Sequence, residues 1–316
     1  MDKTGFIKHL ESKDFAVKTI KTYVKYVEEF LKRTKKEDIQ VVKPDILKFL
    51  EYLKNSRKVQ NAYRSFYLAA LNHYFTFLYK EEKIIKNPCL FLKLQGLYKR
   101  KLHKIYTPEE LDQIFDTYYQ LFVRNYDYEN SNMPKNCQRQ SVLSKERNAL
   151  ILSILINQGV RTGEIERIKL TDIDLIKARV KIQCCKRSND RFLPLKATQI
   201  GLIMHYLQNI RPQLSEKESD KLFLPTSYGK QGKKKQENDI NYAFFALTTI
   251  LKSIDKQYVN VLQIRASVIS YWIKTQGLRK AQYLAGHRYV SSTERYVANN
   301  LDSLIDNINK LHPFDF

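Results

Sequence analysis

Residues 261–296 read VLQIRASVISYWIKTQGLRKAQYLAGHRYVSSTERY. Arg265, His287 and Tyr296 occur there in that order, with an apolar helical run between the first two and a short polar segment before the third. A guanidinium holds an anion through a rigid fork of donors, an imidazole holds or moves a proton, and a tyrosine hydroxyl becomes a nucleophile once its proton is handled. The stretch reads as a device that holds an anion and attacks it, and it needs a folded scaffold upstream to complete it.

Working back along the chain, helical spacing is expected over 265–275 and 239–254, with a basic loop YGKQGKKKQEND at 228–239 and a further helix near 197–209. Between about 173 and 195 the period falls to two. Val180, Ile182 and Cys184 alternate with polar residues, Ser188-Asn189-Asp190 supplies a turn, and Phe192-Leu193-Pro194-Leu195 continues beyond it. This is a β-hairpin with Lys186 near its tip, and Cys184 and Cys185 are expected in its strand. A helix is expected over 145–158, stopped by Gly159, and residues 125–143 read as a polar loop. Thr107-Pro108-Glu109-Glu110 is a strong helix start, with Thr107 as N-cap, and opens a second domain.

Residues 92–106 carry six basic side chains, counting His103, and no acid, which reads as an exposed linker. Before it lie a short helix near Phe6–Leu10, one containing Ile20, Tyr23, Val27, Phe30 and Leu31, one following Lys43-Pro44, and a long aromatic one over 57–80 that Asn87-Pro88 stops. Its stripe of Tyr63, Phe66, Tyr67, Ala70, Tyr74, Phe77 and Leu78 reads as core rather than as a base-stacking surface. The division expected is a helical domain at 1–91, a linker at 92–106 and a second domain at 107–316.

A chain of 316 residues with 43% hydrophobic content supports two cores. Its formal net charge of +22 exceeds what solubility requires and points to a polyanionic partner. Residues 1–104 hold 24 Lys and Arg against 11 Asp and Glu, a net +13, and the remainder carries +9. Both parts would therefore attract phosphate. The cations expected at the backbone are Lys18, Lys21, Lys25, Arg57, Lys58 and Arg64 in the helical domain and Lys99, Arg100 and Lys101 in the linker. No run approaches the roughly 20 apolar residues of a membrane span, and the N-terminus has no signal-peptide core, so an intracellular protein is expected. Four cysteines without a CxxC pair suggest reduced thiols, neither zinc site nor disulfide framework.

Five local patterns together resemble the tyrosine recombinase (phage integrase) family. Gly159-Val160-Arg161-Thr162-Gly163-Glu164 is similar to the segment of its first catalytic arginine. Cys185-Lys186-Arg187-Ser188-Asn189-Asp190-Arg191, followed by Pro194-Leu195, is similar to its lysine-bearing hairpin. Arg265 stands for the second arginine, Ala285-Gly286-His287 for the Leu-Gly-His motif, and Tyr296 for the nucleophile nine residues on. The N-terminal bundle is similar to the family's core-binding, SAM-like domain. No one motif is specific in a chain with 21 tyrosines; five in order are.

The resemblance implies a mainly α fold with a small β-sheet or hairpin in the catalytic domain, arranged as a two-domain C-shaped clamp on DNA. It implies a site-specific recombinase whose Tyr296 forms a 3′-phosphotyrosyl link and exchanges strands through a Holliday junction, with no cofactor and no metal. Arg161 and Arg265 would hold the scissile phosphate, Lys186 would protonate the 5′-oxygen, and His287 would hydrogen-bond the phosphate or assist the proton of Tyr296. Glu164 either orients Arg161 or is a first-turn acid favoured by the helix dipole. Plainer readings make Lys186 a solvated turn residue and His287 a helix-end histidine. Tyr289, and Tyr283 on an apolar helical face, are rival nucleophiles.

The partners implied are duplex DNA with a core site, a homotetramer on two duplexes and an accessory or partner recombinase, in bacterial cytoplasm at the nucleoid. Residues 300–311 form an amphipathic helix that docks either on a neighbouring protomer or on its own domain. One departure stands out: the family's histidine three residues before the second arginine is Leu262 here, and Asn260 or Gln263 would have to substitute. The alternatives are a type IB topoisomerase-like relaxase and a DNA-binding relative impaired in catalysis.

Overall fold

The structure, a computed structural model, describes residues 1–95, 103–127, 134–184, 188–214, 219–226 and 240–297. The chain divides into two compact units, Met1–Lys101 and Leu102–Phe316. Both are mainly helical, and the one sheet among the described residues is a small antiparallel one in the second unit.

The first unit contains α1 (Lys3–Ser12), α2 (Val17–Thr34), α3 (Lys43–Asn55) and α4 (Asn61–Lys80). Asp2 caps α1 by accepting from the Gly5 N–H, and proline sits in the first turn of α3, where its missing N–H costs nothing. On α2 the apolar spacing buries Ile20, Val24, Val27 and Phe30, leaving Lys18, Lys21 and Lys25 exposed at steps of three and four. The core is aromatic: Phe6 meets Tyr74 edge to face at 5.1 Å, and Phe30 meets Phe49 likewise.

Several expectations fail in this unit. The helix expected from residue 57 begins at Asn61, because Lys58 is left-handed (φ 51°) and Gln60 extended. It ends at Lys80, before Asn87-Pro88, and Glu82 (φ 55°) turns the chain. Of the aromatic stripe, Tyr67, Ala70, Tyr74, Phe77 and Leu78 are buried, but Tyr63 and Phe66 are exposed, because a stripe that broad extends past the buried arc. Arg64, expected at DNA, is buried. Its guanidinium donates to the Leu50 carbonyl at 3.2 Å and to Asn61.

Nor is the expected linker uniformly exposed. Leu92 and Leu94 pack on the first core, while Tyr106 is buried in the second, its hydroxyl donating to Asp255 at 2.8 Å. Lys99, Arg100 and Lys101 lie outside the described residues.

The second unit runs α5 (Pro108–Tyr119), α6 (Lys135–Gln158), α7 (Thr162–Ile165), β1 (Ile173–Asp174), β2 (Arg179–Ile182), β3 (Arg191–Pro194), α8 (Ala197–His205), α9 (Arg211–Leu214), α10 (Asn241–Ile254), α11 (Val261–Ala285) and α12 (Ser291–Val297). The Thr107–Glu110 capping box at the start of α5 forms as expected, with N–H to side-chain distances of 2.9 and 3.2 Å. Helix α6 begins ten residues before the expected 145, since its first turns are polar and show no apolar period; part of the expected loop is therefore helix. Its second half is buried on most faces, from Ala149 to Ile156, which makes it the central helix of this unit.

The strands pair in the order β1-β2-β3, all antiparallel, with Val180 opposite Leu193 and Ile182 opposite Arg191. Strand β2 ends at Ile182, so Cys184 is exposed beyond it rather than within it. Cys185, Lys186, the basic tract 228–239 and the expected helix at 300–311 lie outside the described residues. Cys89 and Cys137 are free thiols. No described helix is long and apolar enough to cross a membrane.

Candidate active site

The site forms where the end of α6, the short α7, strand β3 and the two ends of α11 converge. Gly159 ends α6 in the left-handed conformation (φ 54°), and a Cβ there would lie 2.9 Å from Val268 on α11. That close approach lets Arg265, 2% exposed, donate through Nη1 to the Gly159 carbonyl. Its Nη2 donates to the Ala285 carbonyl at 2.8 Å and to His287 Nε2 at 3.2 Å, while its Nε–H has no partner among the described residues.

An arginine only donates, so the 3.2 Å contact requires Nε2 of His287 to accept, which assigns the ring proton to Nδ1. Nδ1 then donates to Thr293 Oγ1 at 2.9 Å. Thr293 is fully buried on α12, one turn before Tyr296. The Tyr296 ring stacks on the imidazole with centroids 5.7 Å apart and planes 15° from parallel. Burial, with repulsion from Arg265, Arg161 and Arg191, pushes His287 down to about 4, so it is neutral at pH 7. Burial also lowers Arg265 to about 10, with Arg161 adding and Glu164 opposing, and leaves it charged.

Arg161 stands at the N-terminus of α7 with its side chain about one-third exposed, so it has room to meet a ligand. Its backbone N–H donates to Glu164 at 2.8 Å, and its Nη1 lies 3.3 Å from the same carboxylate. Glu164 does more than sit in a first turn. It accepts a bidentate pair from Arg191 on β3, at 3.1 and 3.0 Å, and lies 3.8 Å from Arg265 Nη1. Burial alone would raise its pKa, but Arg191 and the Arg161 N–H hold the carboxyl below its ordinary range.

The structure thus brings Arg161, Glu164, Arg265, His287 and Tyr296 together; Lys186 lies outside the described residues. Sequence reading missed Arg191 and Thr293 as parts of the site. For Arg191 one signal was present: its place at a core-facing position of an alternating strand, where a charge must find a partner. Tyr283 and Tyr289 are 56% and 65% exposed, and Tyr283 is not on an apolar face as expected, because α11 kinks at Gly277 (φ 81°) and turns its last stretch. Leu262 is exposed in the first turn of α11. Neither residue named to replace the missing histidine is free: Asn260 caps α11, and Gln263 is buried on the Lys104 and Gln257 carbonyls. Among the described residues no cluster of three His, Cys, Asp or Glu side chains would hold a metal ion.

Residues 129–302 match the phage integrase family, and residues 4–84 match the phage integrase N-terminal SAM-like domain. This chain belongs to the phage integrase family. It is a tyrosine recombinase, an enzyme that breaks and rejoins DNA strands at specific sites. Among its relatives, tyrosine recombinase XerC of Bacillus pumilus is 24% identical, over 98% of this chain and 96% of its own. Tyrosine recombinase XerD of Staphylococcus saprophyticus is 24% identical over 78% and 75%.

The fold is similar to that of XerH recombinase bound to its difH substrate before cleavage (TM-score 0.66, 18% identity, 96% of this chain and 84% of that one). It is also similar to a lambda integrase dimer on a core site (TM-score 0.61, 13% identity, 93% of each chain). These matches do not favour the relaxase or the impaired-binder alternative.

Proposed function

We propose that Tyr296 is the nucleophile of this recombinase and that Arg161 and Arg265 hold the scissile phosphate. The observation that carries the assignment is the stack of the Tyr296 ring on His287, whose Nε2 lies 3.2 Å from buried Arg265. Three guanidiniums, Arg161, Arg191 and Arg265, surround one carboxylate, Glu164, which leaves a local charge of +2. Such an excess favours the transition state of phosphoryl transfer, where negative charge accumulates on the non-bridging oxygens.

When a phosphate draws Arg265 Nη2 away, His287 Nε2 is left as a bare acceptor beside the tyrosine. The added anion also raises the imidazole's basicity. The Tyr296 oxygen then bonds to phosphorus as its proton passes to that acceptor, and the bond from phosphorus to the 5′-oxygen breaks. Lys186 delivers the proton that this leaving oxygen takes up. One phosphoester replaces another, so no ATP is consumed. The freed 5′-hydroxyl of the partner duplex reverses the step on the 3′-phosphotyrosine, and two such rounds pass through a Holliday junction.

The two basic units would close on duplex DNA as a clamp, with Lys18, Lys21, Lys25, Arg57 and Lys58 of the helical domain and Lys99, Arg100 and Lys101 of the linker at the phosphate backbone. Four copies on two duplexes, with residues 300–311 docking between neighbours and an accessory or partner recombinase in some reactions, would act at the nucleoid of a bacterial cytoplasm.

Nicked duplexes drawn from the DNA flanking its gene test the assignment, because loss of the short fragment beyond the nick traps the covalent step. Native protein is expected to give a denaturation-resistant complex and Tyr296→Phe none. A covalent complex that persists in Tyr296→Phe would overturn the choice of nucleophile.

A further inference from the structure

We infer that Arg191 is a positioning residue for the phosphate site, acting through Glu164 and through the turn that carries His287; this rests on the function proposed above. Among the described residues Arg191 is the largest fully buried side chain, at 1% exposure. A charge so enclosed is costly unless every donor is used, and its fork is used on two sides. Nη1 and Nη2 hold both oxygens of Glu164, and Nε donates to the Leu284 carbonyl at 2.7 Å.

Strand β3 is thereby fastened at once to α7, which presents Arg161, and to the end of α11, which precedes His287. Neighbouring backbone adds to the attachment. The Asn189 N–H donates to the Gly286 carbonyl at 3.1 Å, and Ser188 pairs with His287 as an isolated bridge.

Gly286 reports how close the approach is. It is left-handed (φ 66°), and a Cβ there would fall 2.8 Å from Arg191 Cζ, so side chains are excluded on both counts. With its two oxygens held by Arg191, the Glu164 carboxylate has one fixed orientation in which to receive the Arg161 N–H and face Arg265. A lysine at 191 would keep a charge but not the fork, and the carboxylate would then be free to rotate. The arginines that meet the phosphate would shift with it, and a misplacement of about 1 Å costs on the order of 100-fold in rate.

The test compares native protein, Arg191→Lys and the double variant Glu164→Met with Arg191→Met on two nicked duplexes. One duplex carries an ordinary scissile phosphate and the other a methylphosphonate, whose missing charge relieves the demand on the arginines. The double variant removes the two charges of the Arg191–Glu164 pair together, so neither is left buried without the other, and Arg265 keeps the Gly159 and Ala285 carbonyls as partners.

Both variants are expected to fold and bind DNA. Covalent complex formation should slow on the order of 100-fold on the phosphate and less than about threefold on the methylphosphonate, each relative to native. Equal slowing on both substrates would mean that the pair only holds the fold, and no slowing would mean that it is dispensable; either result overturns the inference. A native protein that links to neither duplex would instead sink the recombinase reading itself.

Discussion

Each unit buries an arginine whose Nε–H has no partner among the described residues, Arg64 in the first and Arg265 in the second, and the two differ in everything around them. Arg64 is the one buried charged or polar residue of its unit among those described. Its partners are the Leu50 carbonyl and Asn61. Arg265 lies among Arg161, Glu164, Arg191 and His287, in a unit that buries many polar groups. Burying like charges side by side works against folding, and a fold retains them where a ligand supplies the missing anion. The first unit is built for packing, with its charge kept outside on Lys18, Lys21 and Lys25. The second holds an unfinished electrostatic site inside its core.

The sharpest way to break that contrast is to make the same substitution in both places. Arg265→Met is expected to lower covalent complex formation by a factor on the order of 100 to 1,000, as for loss of a transition-state donor. Arg64→Met is expected to cost about 1–2 kcal/mol in stability through its lost hydrogen bonds and to leave the covalent step unchanged. Thermal melts and the nicked-duplex assay measure the two effects. Comparable loss of chemistry in both variants would show that Arg64 also serves the site.

Acid separates the units less steeply. Burial lowers the pKa of His9 and His73 in the first unit and takes His287 in the second to about 4. Above the unfolded value of about 6.5 all three are neutral in both states and contribute nothing to the pH dependence. As pH falls below that value the unfolded chain takes up protons that the native chain resists, so stability falls. For His287 the loss runs between about 6.5 and 4 and reaches about 3 kcal/mol.

His73 lies against Phe15 and Tyr23, where a phenyl ring fits. His73→Phe should flatten part of the acid slope and leave cleavage intact, whereas His287→Gln should flatten part of it and impair cleavage. Melting curves from pH 7.5 to 4.5 decide the matter. An unchanged slope in both variants would mean that other groups carry the acid sensitivity.

What the sequence made legible follows the range of each interaction. Periodicity located the long helices of both units, though not α12 or the first ten residues of α6, and the local chemistry of Thr107-Pro108 and Gly159 set two of their ends. Arg161, Arg265, His287 and Tyr296 were readable because each carries its own short context. The missed parts are non-local. Arg191 meets Glu164 across 27 positions and Leu284 across 93, and nothing near Arg191 in the chain announces either partner. Thr293 sat in view as an ordinary polar residue, because its bond to His287 exists only once α12 folds back. Arg64 misled for the converse reason: in sequence it is one more cation beside Arg57 and Lys58, and only packing turns it inward.

The smallest effect is expected at Leu262, where the resemblance to the family implies a histidine. It lies 67% exposed in the first turn of α11, three residues before Arg265 and therefore on the same side of the helix. A histidine there would stand at the mouth of the phosphate site. Helix N-termini disfavour positive charge, so its imidazole would stay neutral near pH 7 and act as a hydrogen-bond donor without adding to an already cationic cluster. One such bond is worth about 0.5–1.5 kcal/mol, so Leu262→His is expected to speed covalent complex formation about two- to tenfold. A rate that stays level or falls would mean that the site, with Asn260 and Gln263 committed elsewhere, is complete without a group at this position.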